Sequence, residues 1–173
     1  MSVETVIAVV TGGASGIGRA SALALGASGA KIAVADKNAA GAEDVAERIQ
    51  AVSGKAIAVE VDVSSSASVD RMVERVLAAF GRIDVLVHCA GICPRQDVLD
   101  MDDASWRAVL GTNLDGTFYV ARAVGRVMTA RKSGTMILLT SDRGVYGSAD
   151  YAHYAASKGG MIALTKSLAL ALV

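Results

Sequence analysis

Five short apolar runs recur along the chain, at Val6–Val10, Ile32–Ala35, Ile57–Val61, Val85–Cys89 and Met136–Thr140. Each is almost continuously apolar over four or five residues, as strands buried on both faces are. Between them lie stretches with helical spacing: about Gly16–Ser28, Ala40–Val52, Ser66–Phe80, a pair spanning Asp103–Arg131, and Tyr154–Leu172. Strand alternating with helix predicts a parallel sheet with right-handed crossovers. The expected fold is therefore α/β, a doubly wound Rossmann-like sheet that binds ligands at the carboxyl ends of its strands. No internal repeat, low-complexity tract or boundary interrupts the pattern, so residues 1–173 read as a single domain.

Composition narrows the function. Eighteen glycines against one proline, Pro94, imply tight strand–helix turns and no disordered linker. Seventeen basic residues balance seventeen acidic ones, which gives no electrostatic reason to expect nucleic acid or an anionic membrane as partner. Met1 to Glu4 runs straight into an apolar strand without a basic leader, and the apolar stretch Met161–Val173 is interrupted by Lys166 and too short to span a bilayer. A cytoplasmic protein acting on a small molecule is expected. His88, Cys89 and Cys93 are partial metal ligands without a second pair of the usual spacing. We expect no metal and two reduced thiols.

The first strand ends in Thr11-Gly12-Gly13-Ala14-Ser15-Gly16-Ile17-Gly18, and a helix follows. Glycine lets the backbone turn tightly and approach a pyrophosphate, and the helix N-terminus offers unpaired N–H groups to it. Asp36 closes the second strand, where an acid can accept hydrogen bonds from the adenosine ribose and repel the extra phosphate of NADP. Lys37 and Arg19 pull the other way, since each can pair with a phosphate. Asp62, after the third strand, reads either as an acceptor for the adenine amino group or as a turn or cap residue.

Tyr154-Ala155-Ala156-Ser157-Lys158 places a phenol and an ammonium one helical turn apart on one face. A neighbouring ammonium favours the phenolate, which suits Tyr154 to general acid/base work. A Tyr and a Lys at this spacing are also common as a plain surface pair.

Together these motifs resemble the short-chain dehydrogenase/reductase family, in the branch with T-G-x-x-x-G-x-G and Y-x-x-x-K. Asp62-Val63 resembles the family's adenine-contacting pair. Ala90-Gly91 resembles the end of its fourth strand, and Asn113-Leu114-Asp115-Gly116 its asparagine motif. Ser141 stands thirteen residues before Tyr154, as the family's serine does. The resemblance implies an oxidoreductase that uses NAD rather than NADP. In it Tyr154 exchanges a proton with the substrate oxygen and Ser141 polarises that oxygen. Lys158 holds the nicotinamide ribose, and Asn113 holds a water linking Lys158 to solvent. Gly12, Ser15, Gly16, Ile17, Gly18, Asp36, Asp62, Val63, Ala90, Gly91, Tyr154 and Lys158 are the implied cofactor contacts. Hydride moves between the cofactor and the carbon of an alcohol or ketone.

Three departures stand out. His88-Cys89 occupies the place of an asparagine pair, and Asp142-Arg143 follows Ser141 where small or apolar residues are usual. The chain also stops inside the Tyr–Lys helix, whereas relatives continue with a sixth strand, a substrate-covering segment and a seventh strand. The expectation is a C-terminally incomplete chain with an exposed sheet edge and an exposed run Leu168–Val173. A non-catalytic nucleotide-binding fragment or assembly module is the alternative. Substrate selectivity is expected in Ile92–Asp97 and Val145–His153. Small and apolar residues on the last two long helices (Ala121, Val124, Met128; Met161, Leu164, Leu168) predict packing against a second copy, in a dimer or tetramer.

Overall fold

The computed structural model describes residues 5–52 and 54–172; Val173, the last residue of the apolar run Leu168–Val173, lies outside them. Five parallel strands form one sheet in the order β3-β2-β1-β4-β5: β1 Ile7–Thr11, β2 Lys31–Asp36, β3 Lys55–Glu60, β4 Val85–His88 and β5 Thr135–Leu138. The order reverses between β1 and β4, and the carboxyl ends on either side of that point carry Gly12 and Ala90. A doubly wound sheet opens its ligand crevice there.

The two-residue period of the strands sorts the core into two layers. Ala8, Val10, Ile32 and Val34 point one way and pack with Ala22 of α1 (Gly16–Ala27) and with Val45 and Ile49 of α2 (Ala39–Ala51). Val9, Ala33, Ala35 and Leu86 point the other way. They meet Val69, Met72 and Val76 of α3 (Ser66–Phe80) and Val120, Val124 and Met128 of α5 (Gly116–Arg131). Each fully buried Val, Leu, Ile or Met side chain among them contributes about 1.5–3 kcal/mol. Side-chain caps fix where three helices begin: Asn38 accepts from Gly41 N, Ser65 from Ser68 N, and Asp102 from Ser105 N at the start of α4 (Asp103–Leu110). Helix α3 stops at Gly81, whose φ of +81° closes the last turn.

Four sequence expectations need correction. The stretch Asp103–Arg131 is a near-continuous helix in which α4 passes into α5 through a π turn, Gly111–Asp115. A short helix, α6 (Arg143–Tyr146), precedes α7 (Ala152–Ala171). β5 is not buried on both faces: it is the last strand of the described sheet, and Ile137 is 52% exposed. Finally, Ala121, Val124, Met128 and Met161 are buried within this chain, at 0%, 0%, 6% and 1% exposure. They face its own sheet and helices, and only Leu164 and Leu168 of the predicted contact stripe remain partly open. Among the described residues no helix is long and apolar enough to cross a membrane.

Candidate functional site

A cleft of about 720 Å³ opens over the carboxyl ends of the strands. Gly12, Ser15, Gly16, Ile17, Gly18, Asp36, Asp62, Val63, Ala90 and Gly91 all line it, joined by Lys37, Cys89, Ile92, Thr112 and Leu139 among others. Ten of the residues singled out in the sequence are therefore brought to one cavity, while Tyr154 and Lys158 lie beyond its lining.

The turn that starts the cleft is dictated by glycine at two positions. Gly12 has φ +68°, and a Cβ there would stand 2.8 Å from Ala90 N. A Cβ on Gly18 would collide with the Gly12 carbonyl oxygen. Helix α1 follows with its N-terminus bare: Ser15 makes no side-chain capping bond and the first turn has no acid. Its leading N–H groups thus have no side-chain capping acceptor, in contrast to the starts of α2, α3 and α4, capped by Asn38, Ser65 and Asp102.

Asp36 is tied to this turn. One carboxylate oxygen accepts from Ala14 N at 3.0 Å and the other from Asn38 N at 2.9 Å. The Asp62 carboxylate accepts the Ser64 hydroxyl at 2.6 Å, and this bond holds its carboxyl below the ordinary carboxylate range. Its other oxygen pairs with Lys37 at 3.2 Å, so the cation next to Asp36 is directed to Asp62.

Asn113 organises the middle of the cleft from inside the π turn. Fully buried, its Oδ1 accepts from Ile92 N at 2.8 Å, and its Nδ2 donates to Ile92 O at 2.9 Å and to Ser157 Oγ at 3.1 Å. A π turn inserts one residue into an α-helix and often marks a functional position. Here it carries the side chain that fixes Gly91-Ile92 against α7.

Lys158 is buried at 4% exposure, and its ammonium donates to the Leu139 carbonyl at 2.7 Å. In return the Thr140 hydroxyl donates to the Lys158 carbonyl at 3.0 Å, which locks the end of β5 to α7. The ammonium stands 5.6 Å from the centre of the Tyr154 ring, so phenol and cation do share a helix face. Burial pushes Lys158 below the usual ammonium range, with the Cys89 and Cys93 thiols opposing. Burial likewise pushes the Cys89 thiol up. Ser141 follows the lock directly, and its hydroxyl donates to Asp142 Oδ1 at 3.0 Å.

Sequence reasoning missed several partners. The Leu139 carbonyl is a backbone acceptor without a sequence signature. Ser157, three residues after Tyr154, donates to the Tyr154 carbonyl at 2.7 Å and joins Asn113 to the helix; its place within the tyrosine–lysine motif was the available clue. His88 is fully buried, with Nδ1 2.7 Å from the Thr11 hydroxyl and Nε2 without a partner among the described residues. Burial, reinforced by the Lys158 charge, lowers it to about 3, so it is neutral at working pH. Among the described residues no three His, Cys, Asp or Glu side chains converge as a metal site.

These features can be set beside known proteins. The profile of the short chain dehydrogenase family matches residues 6–173. The 3-oxoacyl-[acyl-carrier-protein] reductase of Synechocystis sp. is 42% identical over 94% of this chain and 66% of its own length. The L-rhamnose 1-dehydrogenase (NAD(P)(+)) of Azotobacter vinelandii is 38% identical over 95% of this chain and 66% of its own. The crystal structure of gox2181 superposes with a TM-score of 0.95 at 35% identity, over 98% of this chain and 67% of that one. The chain thus spans about two thirds of the length of the curated relatives it matches. With the glycine turn, the π-turn asparagine and the tyrosine–lysine helix arranged on this sheet, and the family profile running through nearly every residue, the chain belongs to the short chain dehydrogenase family.

Proposed function

We propose that this chain is the nucleotide-binding and catalytic part of an oxidoreductase that moves a hydride between NAD(H) and an alcohol or ketone. One observation carries the reading. The cleft runs from the Gly12–Gly18 turn and Asp36 to Leu139, whose carbonyl holds the Lys158 ammonium beside Tyr154. A dinucleotide fits these residues: the bare start of α1 has N–H groups for a pyrophosphate, and a Cβ at Gly12 or Gly18 would fill the turn itself. Asp36, Asp62 and Val63 would hold the adenosine end, and Ala90, Gly91, Tyr154 and Lys158 the nicotinamide end. The bound cofactor supplies the hydride chemistry.

The chain's own groups move the proton. Tyr154 gives it to, or takes it from, the substrate oxygen, and Ser141 donates a hydrogen bond to that oxygen after leaving Asp142. Lys158 binds the ribose and sets its positive charge beside the Tyr154 ring. Asn113, with both its amide groups engaged by Ile92, sets the position of the strand end that faces Lys158. Asp36 favours NAD over NADP, because a carboxylate repels a 2′-phosphate, and the pairing of Lys37 with Asp62 removes one cation from its side.

Two features extend the reading. The unpaired thiols Cys89 and Cys93 suit the cytoplasm. Exposed Trp106 on α4 and Phe118 on α5 suit assembly into a homodimer or homotetramer. The test is nucleotide-linked turnover of alcohols and ketones by the full-length protein and its Tyr154→Phe variant. Turnover that depends on Tyr154 is the expected result, and a protein that binds nucleotide without oxidising or reducing any of them would overturn the reading.

A further inference from the structure

We infer that Arg143 reads the substrate, by pairing with a carboxylate or phosphate group on the hydroxy or oxo compound that is turned over. The inference rests on the oxidoreductase reading above and gives that site its substrate class.

Position comes first. Arg143 is two residues beyond Ser141, and its backbone N–H donates to the Ser141 hydroxyl oxygen at 3.3 Å. The next residue, Gly144, lies so close to α7 that a Cβ on it would stand 2.6 Å from the Lys158 carbonyl carbon. Arg143 therefore starts from the same backbone segment that presents the reacting serine.

Its side chain then bridges two loops. The guanidinium lies over the Tyr151 ring, 4.0 Å from its centre, and Nη1 reaches Cys93 Sγ at 3.8 Å. The loops themselves are joined: Gln96 N donates to Asp150 O at 2.9 Å, Gln96 bridges Tyr151, and Arg95 pairs with Asp150 at 2.7 Å. Residues 92–97 and 145–153, where selectivity was expected, thus form one wall with Arg143 across it.

Charge completes the case. Arg143 is part-buried as a residue, yet no carboxylate stands within ion-pair distance of its guanidinium among the described residues. Both nearby acids are engaged elsewhere. Asp142 takes the Ser141 hydroxyl and the Arg143 backbone N–H, and Asp150 takes Arg95. Arg19, Arg71, Arg75 and Arg126 also have no acid partner, but they are exposed and water serves them. Arg122, part-buried and likewise without an acid, lies on α5 over the Phe118 and Tyr119 rings and donates to Ser66 Oγ, away from the reacting serine. A thiol and a ring face are poor substitutes for an anion against five N–H donors. Stacking on Tyr151 fixes the plane of the fork, which lowers the entropy cost of a bidentate bond. A neutral polyol would leave that charge uncompensated; a carboxylate or phosphate satisfies it.

The experiment measures kcat/KM on matched pairs in the full-length protein: short hydroxy or oxo acids against their methyl esters, and hydroxyalkyl phosphates against the parent diols. The anionic member is expected to be preferred by about 10- to 100-fold, the range of a charge-assisted hydrogen-bonded pair. In Arg143→Met that ratio should collapse towards one, with the loss in KM, and Arg143→Lys should recover part of it. The acid pair and the phosphate pair separate the two anions, since the true group loses more. The unmodified protein's own ratio gives the answer even if a variant fails to fold. Turnover of neutral members as fast as anionic ones, with the ratio unmoved in Arg143→Met, would overturn this inference and leave the oxidoreductase reading standing. Nucleotide binding with no turnover of any compound would overturn both.

Discussion

The Lys158 ammonium donates to the backbone carbonyl of Leu139 at 2.7 Å, and Leu139 is also a wall of the cleft that begins at Gly12. One hydrogen bond thus joins this cleft to α7, which carries Tyr154. Lys158→Met keeps most of the apolar stem and removes the charge. Burial makes that charge costly, and its loss leaves the Leu139 carbonyl without its donor. The two effects oppose each other, so unfolding free energy should change by less than about 2 kcal/mol. Turnover should fall by about 100-fold or more. Urea unfolding beside steady-state kinetics separates the two; a variant that keeps its turnover removes Lys158 from the mechanism.

Tyr154→Phe keeps the ring on α7 and deletes only the oxygen. Turnover should drop by about 100-fold or more while nucleotide affinity changes by less than about threefold. Isothermal titration and single-turnover kinetics on the same preparation check this. Loss of affinity in step with turnover would make Tyr154 a binding residue only.

Asn113 fills three hydrogen bonds from a fully buried position. Asn113→Ala leaves the Ile92 N–H and carbonyl without these partners, and should cost about 1–3 kcal/mol of stability. The end of β4 should loosen as well, so affinity for nucleotide should fall with it. Chemical denaturation reads the first effect and hydrogen exchange at Ile92 the second.

His88 gives a pH dependence with a definite sign. Burial holds it at about 3 in the folded chain, against about 6.5 when unfolded. Below 6.5 the unfolded chain takes up a proton that the folded chain refuses, so stability falls as pH drops from 6.5 towards 3. The slope approaches about 1.4 kcal/mol per pH unit. Other acids titrate too, so the comparison is with His88→Asn: between pH 7 and pH 5 the wild type should lose about 2 kcal/mol more than the variant. Parallel pH profiles for the two proteins would mean that His88 charges freely in the native state.

The sheet was legible because strands buried on both faces leave apolar runs, and β1, β2 and β4 fall within a residue or so of those runs. The glycine turn was legible for the same kind of local reason, since Gly12 needs its positive φ whatever surrounds it. What escaped depends on distant contacts. The π turn around Asn113 is settled by bonds to Ile92, twenty-one residues away, and helical periodicity does not register one added residue. Helix α6 is four residues long, shorter than any periodic signal, and is started by Asp142 accepting from Arg143 N. The α5 stripe misled because Ala121, Val124 and Met128 suit a chain's own core as well as a partner's surface.

Competitive titration of NADH and NADPH decides whether the Gly12–Gly18 turn and Asp36 hold NAD(H). With full-length protein and its Asp36→Ala variant, NADH should bind more tightly than NADPH, by about tenfold or more, and the variant should narrow the gap. Equal or tighter binding of NADPH by the unmodified protein would mean that Asp36 does not select NAD, and no binding of either nucleotide would mean that the turn is not a dinucleotide site.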